Sequence, residues 1–382
     1  MIFTGPTEKN KRKYYLDWLR LSRTTNVGVR TFWDLLRMFE NPTKAIEHLP
    51  SLARSGGSLR VPHIPSKADI MDELERADKF GATIVPAFAS TYPKLLCTLP
   101  DTPPTLTVKG NIELLSNTQS IAIVGARNSS ANGYSIAKRL AEDLGSSGYV
   151  VVSGLAKGID TAAHIGALAT GTIGVIASGI DHIYPPENKN LYHALYERGA
   201  VISELPFGTK PKGTHFPYRN RIISGLSRGV IVVEAAVKSG TLITARFAME
   251  QSREVFAIPG SPLDERSKGT NYLIKDGAYL VETAEEVLAL LSGTKLTSDL
   301  LEGTNTSFTT PNVKKETEVE EDLPDLRQVV INQLSYSPTA LDAIIDQTGM
   351  NSSTLSRIIV ELELAGRVER LHHNKVVLLH KD

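Results

Sequence analysis

The chain has 382 residues with 42 basic and 42 acidic side chains and a hydrophobic content of 41%, a length that allows about two or three domains and a composition ordinary for a globular protein. A net charge of zero excludes a global positive field that would gather nucleic acid, so any polyanion site must be a local patch, and self-association stays open. A single cysteine, Cys97, excludes an internal disulfide framework and a cysteine-based zinc site and suits a reducing cytoplasm; the polar start Met1–Lys13, and Lys157, Asp160 and His164 within the stretch from Val150 to Ile180, argue against export and membrane insertion.

Residues 13–80 carry a helical pattern: Leu16, Leu19 and Leu21, then Phe32, Leu35, Leu36 and Phe39, then Met71, Leu74 and Phe80. Asn26-Val27-Gly28-Val29 sits between the first two helices. That arrangement suits a small helix-hairpin-helix or sterile-alpha-motif-like domain, whose backbone amides could touch DNA phosphates. Because the hairpin glycine pattern is incomplete, a helical packing or interaction domain is the favoured reading, and it is expected over 1–85. A proline-rich bridge follows, from Tyr92-Pro93 to Pro103-Pro104-Thr105-Leu106.

The central block repeats one theme. Apolar runs begin near residues 120, 150, 172, 200, 229, 254 and 278, and between them lie helical patterns at Tyr134–Leu144, Asp160–Ala169, Asn188–Arg198, Arg219–Leu226 and Leu242–Ser252. Strands apolar on both faces that alternate with helices predict parallel strands joined by right-handed crossovers. The fold class is therefore α/β, an extended Rossmann-like, doubly wound parallel sheet over 86–292.

Beyond Leu291 the chain turns Ser/Thr-rich and acidic, with too few apolar groups to offset the entropy of ordering, so 293–323 reads as a flexible linker. Helical patterns at Thr339–Gln347 and Ser352–Leu364, joined by Thr348-Gly349-Met350-Asn351, form a helix-turn-helix. A hairpin turning at His372-His373-Asn374-Lys375 completes a winged-helix domain over 324–382. Leu355, Ile358, Ile359 and Leu362 are the core stripe of its second helix, which leaves Ser353, Arg357, Glu361 and Glu363 exposed. One arginine against two glutamates is a poor phosphate-facing surface, so protein interaction or weak DNA binding is favoured over operator reading.

Ligands of open parallel sheets lie beyond the carboxyl ends of the strands. Those ends carry Gly125-Ala126-Arg127, then Ser153-Gly154-Leu155-Ala156-Lys157-Gly158, then Ser178-Gly179-Ile180-Asp181, Glu234 and Pro259-Gly260. A dinucleotide fingerprint needs glycine where Arg127 and Ser130 stand and an acidic residue near Ser153-Gly154, so NAD binding is excluded and a phosphate ligand is not. Arg127 and Lys157, each on a glycine-rich turn, are the leading ligand contacts. Arg219 and Arg221 offer planar guanidinium forks at the start of one helix, and Ser239-Gly240-Thr241 opens another; an ion pair of one of these arginines with Glu204 or Glu234 is the alternative. His164 reads as packed rather than catalytic. No nucleophile elbow or metal-ligand spacing is present, so binding is favoured over catalysis.

Ile121–Arg127, Val152–Asp160 with Ala163-His164, Tyr184–Asn188, Phe216–Ile223, Ser239–Ala245, Val255–Gly260 and Gly269-Thr270-Asn271 together resemble the DprA (Smf) DNA-processing family over about residues 90 to 290. The resemblance implies a dimeric Rossmann-like domain that binds single-stranded DNA and loads RecA recombinase during natural transformation, with no nucleotide cofactor or metal. By motif match, Gly125, Ala126, Arg127, Gly154, Lys157, Gly158, Arg219, Asn220, Arg221, Ser239, Gly240 and Thr241 are its DNA-binding residues. Ala126 and Thr241 stand where the family commonly has serine, and Ser90-Thr91 lacks an acidic residue often found there. A looser similarity to nucleotide phosphoribohydrolases, through Gly240, Thr241 and Glu250, supplies the alternative of an enzyme. A winged-helix transcription factor sensing a nucleotide is a third reading, which the acidic second helix opposes.

Overall fold

The computed structural model describes residues 11–58, 60–293, 323–371 and 374–379, and the chain divides into two compact units, residues 1–72 with 307–382 and residues 73–306. The expected linker, apart from its two end residues, and His372-His373 of the expected hairpin turn lie outside the described residues.

The smaller unit begins with α1 (Lys11–Ser22), α2 (Val29–Phe39) and α3 (Pro42–Ser55). Their apolar stripes meet around Trp18, whose ring packs edge-on against Phe32 at 4.8 Å and Trp33 at 5.7 Å. Asp17, 1% exposed, is satisfied by Arg20 at 3.0 Å and Thr43 Oγ1 at 2.7 Å.

The larger unit is a sheet between helical layers. After α4 (Lys67–Lys79) come β1 (Ala82–Pro86), α5 (Lys94–Cys97), β2 (Thr105–Gly110), β3 (Ser120–Val124), α6 (Ala131–Ser146), β4 (Val150–Ser153), α7 (Ile159–Ala167), β5 (Thr172–Val175), α8 (Lys189–Arg198) and β6 (Ala200–Ser203). Then follow α9 (His215–Gly225), β7 (Gly229–Val232), α10 (Thr241–Glu250), β8 (Glu254–Ala257), α11 (Lys268–Lys275), β9 (Tyr279–Leu280) and α12 (Ala284–Gly293). The strands lie in the order β1-β2-β6-β5-β4-β3-β7-β8-β9. All pairs from β6 to β9 are parallel, while β2 runs antiparallel to β6 and β1 antiparallel to β2. Ile121, Ile123, Val151 and Ile231 pack with α6, α7 and α12 in one core cluster, and Val201 packs with α8 in another. The chain fills the sheet outward from β3 in one direction, then returns to start β7 on its other side, so the topological switch lies between β3 and β7.

Strands β1 and β2 are absent from the sequence pattern, in which β1 falls at the end of the expected helical domain and β2 begins in the last two residues of the proline-rich bridge. Pro86 ends β1 and Pro103-Pro104 abut β2, while Leu106, Thr107 and Val108 are all buried, so no alternation marks them.

The smaller unit ends with α13 (Leu323–Gln333), β10 (Thr339–Ala340), α14 (Leu341–Thr348), α15 (Ser352–Leu364), β11 (Val368–Leu371) and β12 (Lys375–Leu378), the three strands ordered β10-β12-β11. Gly349, at φ 66°, ends α14 in the left-handed conformation, and the Asn351 side chain accepts from Thr354 N to cap α15. Glu361 and Glu363 are not exposed as expected. Glu361 is 1% exposed and bound by Arg327 at 2.7 and 2.9 Å, and Glu363 lies 3.2 Å from Arg370, because α15 buries two faces rather than one. No described helix is long and apolar enough to cross a membrane.

Candidate nucleic-acid interface

Beyond the carboxyl ends of β3 and β7, at the switch point, lies a cleft of about 1270 Å³. Its size exceeds the usual range of small-molecule sites, roughly 300–1,000 Å³, which favours an extended ligand. Gly125, Ala126 and Arg127 form one wall, Arg219 and Asn220 of α9 another, and Ser239, Gly240 and Thr241 a third. The walls are tied together: Thr241 Oγ1 donates to the Gly125 carbonyl at 3.0 Å, and Asn220 Nδ2 to the Gly240 carbonyl at 3.4 Å.

In a dinucleotide-binding sheet the first helix presents its amino end to a pyrophosphate. Here that end is filled from within. Glu234, at the end of β7, accepts from Ser130 N at 2.9 Å and Ser130 Oγ at 2.5 Å, while Ser130 Oγ accepts from Gly133 N at 2.9 Å. The carboxylate holds the anion position and fixes the turn carrying Arg127, which removes the α6 terminus as a phosphate cradle. By contrast, the amino end of α10 opens on the cleft with no side-chain cap at Gly240, and a Cβ added at Gly240 would meet nothing within 4 Å.

The four nominated cations take different positions. Arg127 is exposed on the cleft wall, its guanidinium 5.4 Å from the Phe216 ring centroid. Arg219 lines the cleft although only 7% exposed, and its Nε has no hydrogen-bond partner among the described residues. Burial pulls its guanidinium below the ordinary value, with Asp160 opposing, and burial pushes Asp160 up, with Arg219 opposing. Lys157 is exposed and ion-paired with Glu187, and it does not line the cleft. Arg221 is also absent from the lining: 1% exposed, it donates to Glu204 at 2.5 Å and to the Asp101 carbonyl at 2.8 Å. Of the two arginines on α9, the ion-pair alternative holds for Arg221.

Three nominated glycines are needed for packing. A Cβ on Gly154 would stand 1.7 Å from Arg219 Nη1, one on Gly158 2.3 Å from the Ala126 carbonyl oxygen, and one on Gly125 2.5 Å from Ile159. Gly154 and Gly158 thus let Arg219 and the Arg127 turn into place, and neither lines the cleft. His164 is fully buried, its Nδ1 2.7 Å from Thr172 Oγ1, and burial pulls its pKa down to about 3, so the ring is neutral and packed.

Sequence reasoning passed over several lining groups: Asn128, Lys238, Arg266 and the ring of Phe216. Phe216 lies within a quoted motif, but only its approach to Arg127 and to Tyr184, 5.6 Å between ring centroids, marks it as a stacking surface. Lys238 directly precedes the Ser239-Gly240-Thr241 turn and was within reach of the sequence reading, whereas Arg266 lies in a short 3-10 helix, Glu265–Ser267, with no glycine-turn signature and is bound by Asp264 at 2.9 Å. Glu250, invoked for base hydrolysis, ends α10 far from Thr241 at its start, does not line the cleft, and pairs with Arg246 at 3.1 Å.

A family model described as DNA recombination-mediator protein A matches residues 83–292, one described as the DprA-like N-terminal HHH domain matches 12–76, and one described as the DprA winged helix domain matches 314–374. Protein Smf of Synechocystis is 31% identical over 386 residues, covering 94% of this chain and 97% of that protein. DNA processing protein DprA of Bacillus subtilis is 47% identical over 209 residues, 54% of this chain and 70% of that protein. Among solved structures, DprA of Streptococcus pneumoniae superposes with a TM-score of 0.60 at 36% identity, over 72% of this chain and 96% of that one. DNA processing protein A of Helicobacter pylori, whose structure was described for its single-stranded DNA binding mode, gives 0.51 at 30% identity, over 55% and 95%.

Proposed function

The chain belongs to the DprA/Smf family of DNA recombination mediators, and we propose on that premise that it binds single-stranded DNA in the cleft at the switch point, protects the strand and passes it to RecA recombinase during DNA uptake. The observation that carries this reading is Arg219: a guanidinium 7% exposed, with an unpartnered Nε, on the wall of an open cleft. A buried guanidinium is costly unless negative charge approaches it, Asp160 offsets only part of that cost, and a phosphate in the cleft that Arg219 lines offsets more. Arg127, Asn220 and the Ser239-Gly240-Thr241 turn add donors around the same space, and Phe216 and Tyr184 add rings on which bases stack in a sequence-tolerant way. Lys157 serves at the rim by exchanging Glu187 for a phosphate. In this reading Gly125, Ala126, Gly154 and Gly158 shape the walls.

The mediator acts by binding and not by catalysis, in the cytoplasm, and as a homodimer through the Rossmann-like domain. Tyr272, Tyr279 and Leu280, 58%, 41% and 52% exposed around the edge strand β9, support that choice of surface. The working domain boundaries are 1–85, 86–292 and 324–382, with 293–323 as the connection.

The test is a gel-shift titration of single-stranded against double-stranded oligonucleotides with the wild type and an Arg127→Ala/Lys157→Ala variant whose folding is confirmed. Preferential single-strand binding that the variant loses supports the reading. Binding that is duplex-selective, or unchanged in the variant, overturns it.

A further inference from the structure

The winged helix carries an apolar face that its own core does not use. On α15, Leu355, Ile358, Ile359 and Leu362 belong to the cluster that holds this fold together, whereas Val360 and Leu364 lie outside it yet are 0% and 1% exposed. At about 100° per residue, Val360 and Leu364 project from the side of the helix opposite that core stripe.

What covers this second face is the N-terminal helical bundle, with α15 packed against α2 and α3. The approach is tight at Gly56, just past the end of α3, where an added Cβ would stand 2.0 Å from the Glu361 carbonyl oxygen and 2.9 Å from Ala365 Cβ. Polar groups close the margins. Arg370 of β11 donates to Asp34 Oδ2 of α2 at 2.6 Å and lies 3.2 Å from Glu363, which also accepts from Thr31. Asn26, in the hairpin between α1 and α2, donates to the Leu364 carbonyl at 3.3 Å, and Arg367 donates to the Gly56 carbonyl at 3.4 Å. The side chains of Asp34 and Arg370 are 5% and 9% exposed, so the pair is largely desolvated.

We propose that the winged helix is a protein-docking module whose partner is the N-terminal helical domain of the same chain, and that α15 does not read DNA. Two elements of nucleic-acid-binding type, a helix hairpin and a helix-turn-helix, are turned toward one another. A carboxylate of Glu363, 3.7 Å from where a Gly28 Cβ would stand, faces the hairpin in place of any phosphate. Glu361 and Glu363 on α15 are already taken by Arg327 and Arg370 and leave no free donor for a phosphate, and Val360 and Leu364 gain nothing from a DNA backbone.

Gly56 offers a clean wedge. Its backbone is helical, at φ −69°, and the three atoms nearest to an added Cβ belong to Glu361 and Ala365. The experiment is amide hydrogen exchange on the full chain for wild type, Gly56→Leu and Arg370→Gln, with circular dichroism confirming retained helix. Gly56→Leu is expected to speed exchange about tenfold or more over Val360–Leu371 and in α2, and Arg370→Gln about threefold, as expected where protection comes from a docked surface. Unchanged exchange in both variants overturns the docking. Wild-type protection that falls on dilution assigns the contact to a second copy and overturns the same-chain partner. A gain of about tenfold or more in duplex affinity on opening, of the size that an uncovered phosphate-binding surface would give, makes α15 a masked DNA reader and overturns its assignment as a docking module.

Discussion

Thr241 Oγ1 donates a 3.0 Å hydrogen bond to the carbonyl oxygen of Gly125, which ties the turn after β3 to the first turn of α10 across two walls of the cleft. Valine at 241 keeps the shape and β-branching but leaves the Gly125 carbonyl without this donor. Thr241→Val should cost about 1 kcal/mol of stability and weaken single-strand binding severalfold, while Thr241→Ser keeps both near wild type. Denaturant unfolding and fluorescence anisotropy read the two effects separately, and equal behaviour of the valine and serine variants would sink the idea that the hydroxyl joins the turns.

Arg127 is exposed beside Phe216, so its loss should be felt in binding and hardly in folding. Neutralising one phosphate on a single strand contributes about −0.7 to the slope of log affinity against log salt. Arg127→Ala should therefore flatten that slope by about 0.7, with its unfolding midpoint unchanged. A slope identical to wild type would place Arg127 off the phosphate path. Phe216→Leu, by contrast, should lower affinity without moving the slope, because stacking releases no counterions.

Arg219 and Arg221 show where sequence reading runs out. Two residues apart on α9, they point about 200° from one another around the helix, yet nothing in Phe216-Pro217-Tyr218-Arg219-Asn220-Arg221 says which faces the ligand. Only the tertiary partners decide: Glu204 and the Asp101 carbonyl take Arg221, and the cleft takes Arg219. The parallel strands were legible because helices bury both their faces, which writes runs such as Ile121-Ala122-Ile123-Val124 into the sequence. The pairing of β1 with β2 was hidden by Pro86, Pro103 and Pro104. Likewise the second buried face of α15 is written in Val360 and Leu364, but a single amphipathic stripe is the simpler pattern and masks it.

The same contrast gives a prediction. Removing Arg221 leaves Glu204 without its buried partner, and breaking a buried pair in this way costs roughly 3–5 kcal/mol. Arg221→Ala should therefore lower the unfolding midpoint sharply while the folded fraction binds single strands as wild type does. Arg219→Ala should do the reverse, weakening binding by more than it weakens the fold. Titrations at a temperature where both variants are folded distinguish them, and a binding defect in Arg221→Ala as large as that of Arg219→Ala would count against the assigned roles.

His164 sets a stability dependence on pH. Burial holds its pKa down to about 3 in the folded chain, whereas an unfolded histidine titrates near 6.5. Below about pH 6.5 the unfolded chain takes up a proton that the folded chain refuses, so stability falls with falling pH by up to about 1.4 kcal/mol per unit until the folded ring itself titrates. Above that pH neither state carries the proton, and this site adds no dependence. His164→Gln has no group to titrate there, so the difference between wild-type and variant unfolding free energies should be flat from pH 7 to 8 and should turn steadily against the wild type from about pH 6 to 4. Parallel profiles over that acid range would mean that the imidazole is protonated in the fold, and that its contact with Thr172 Oγ1 is made by a charged ring.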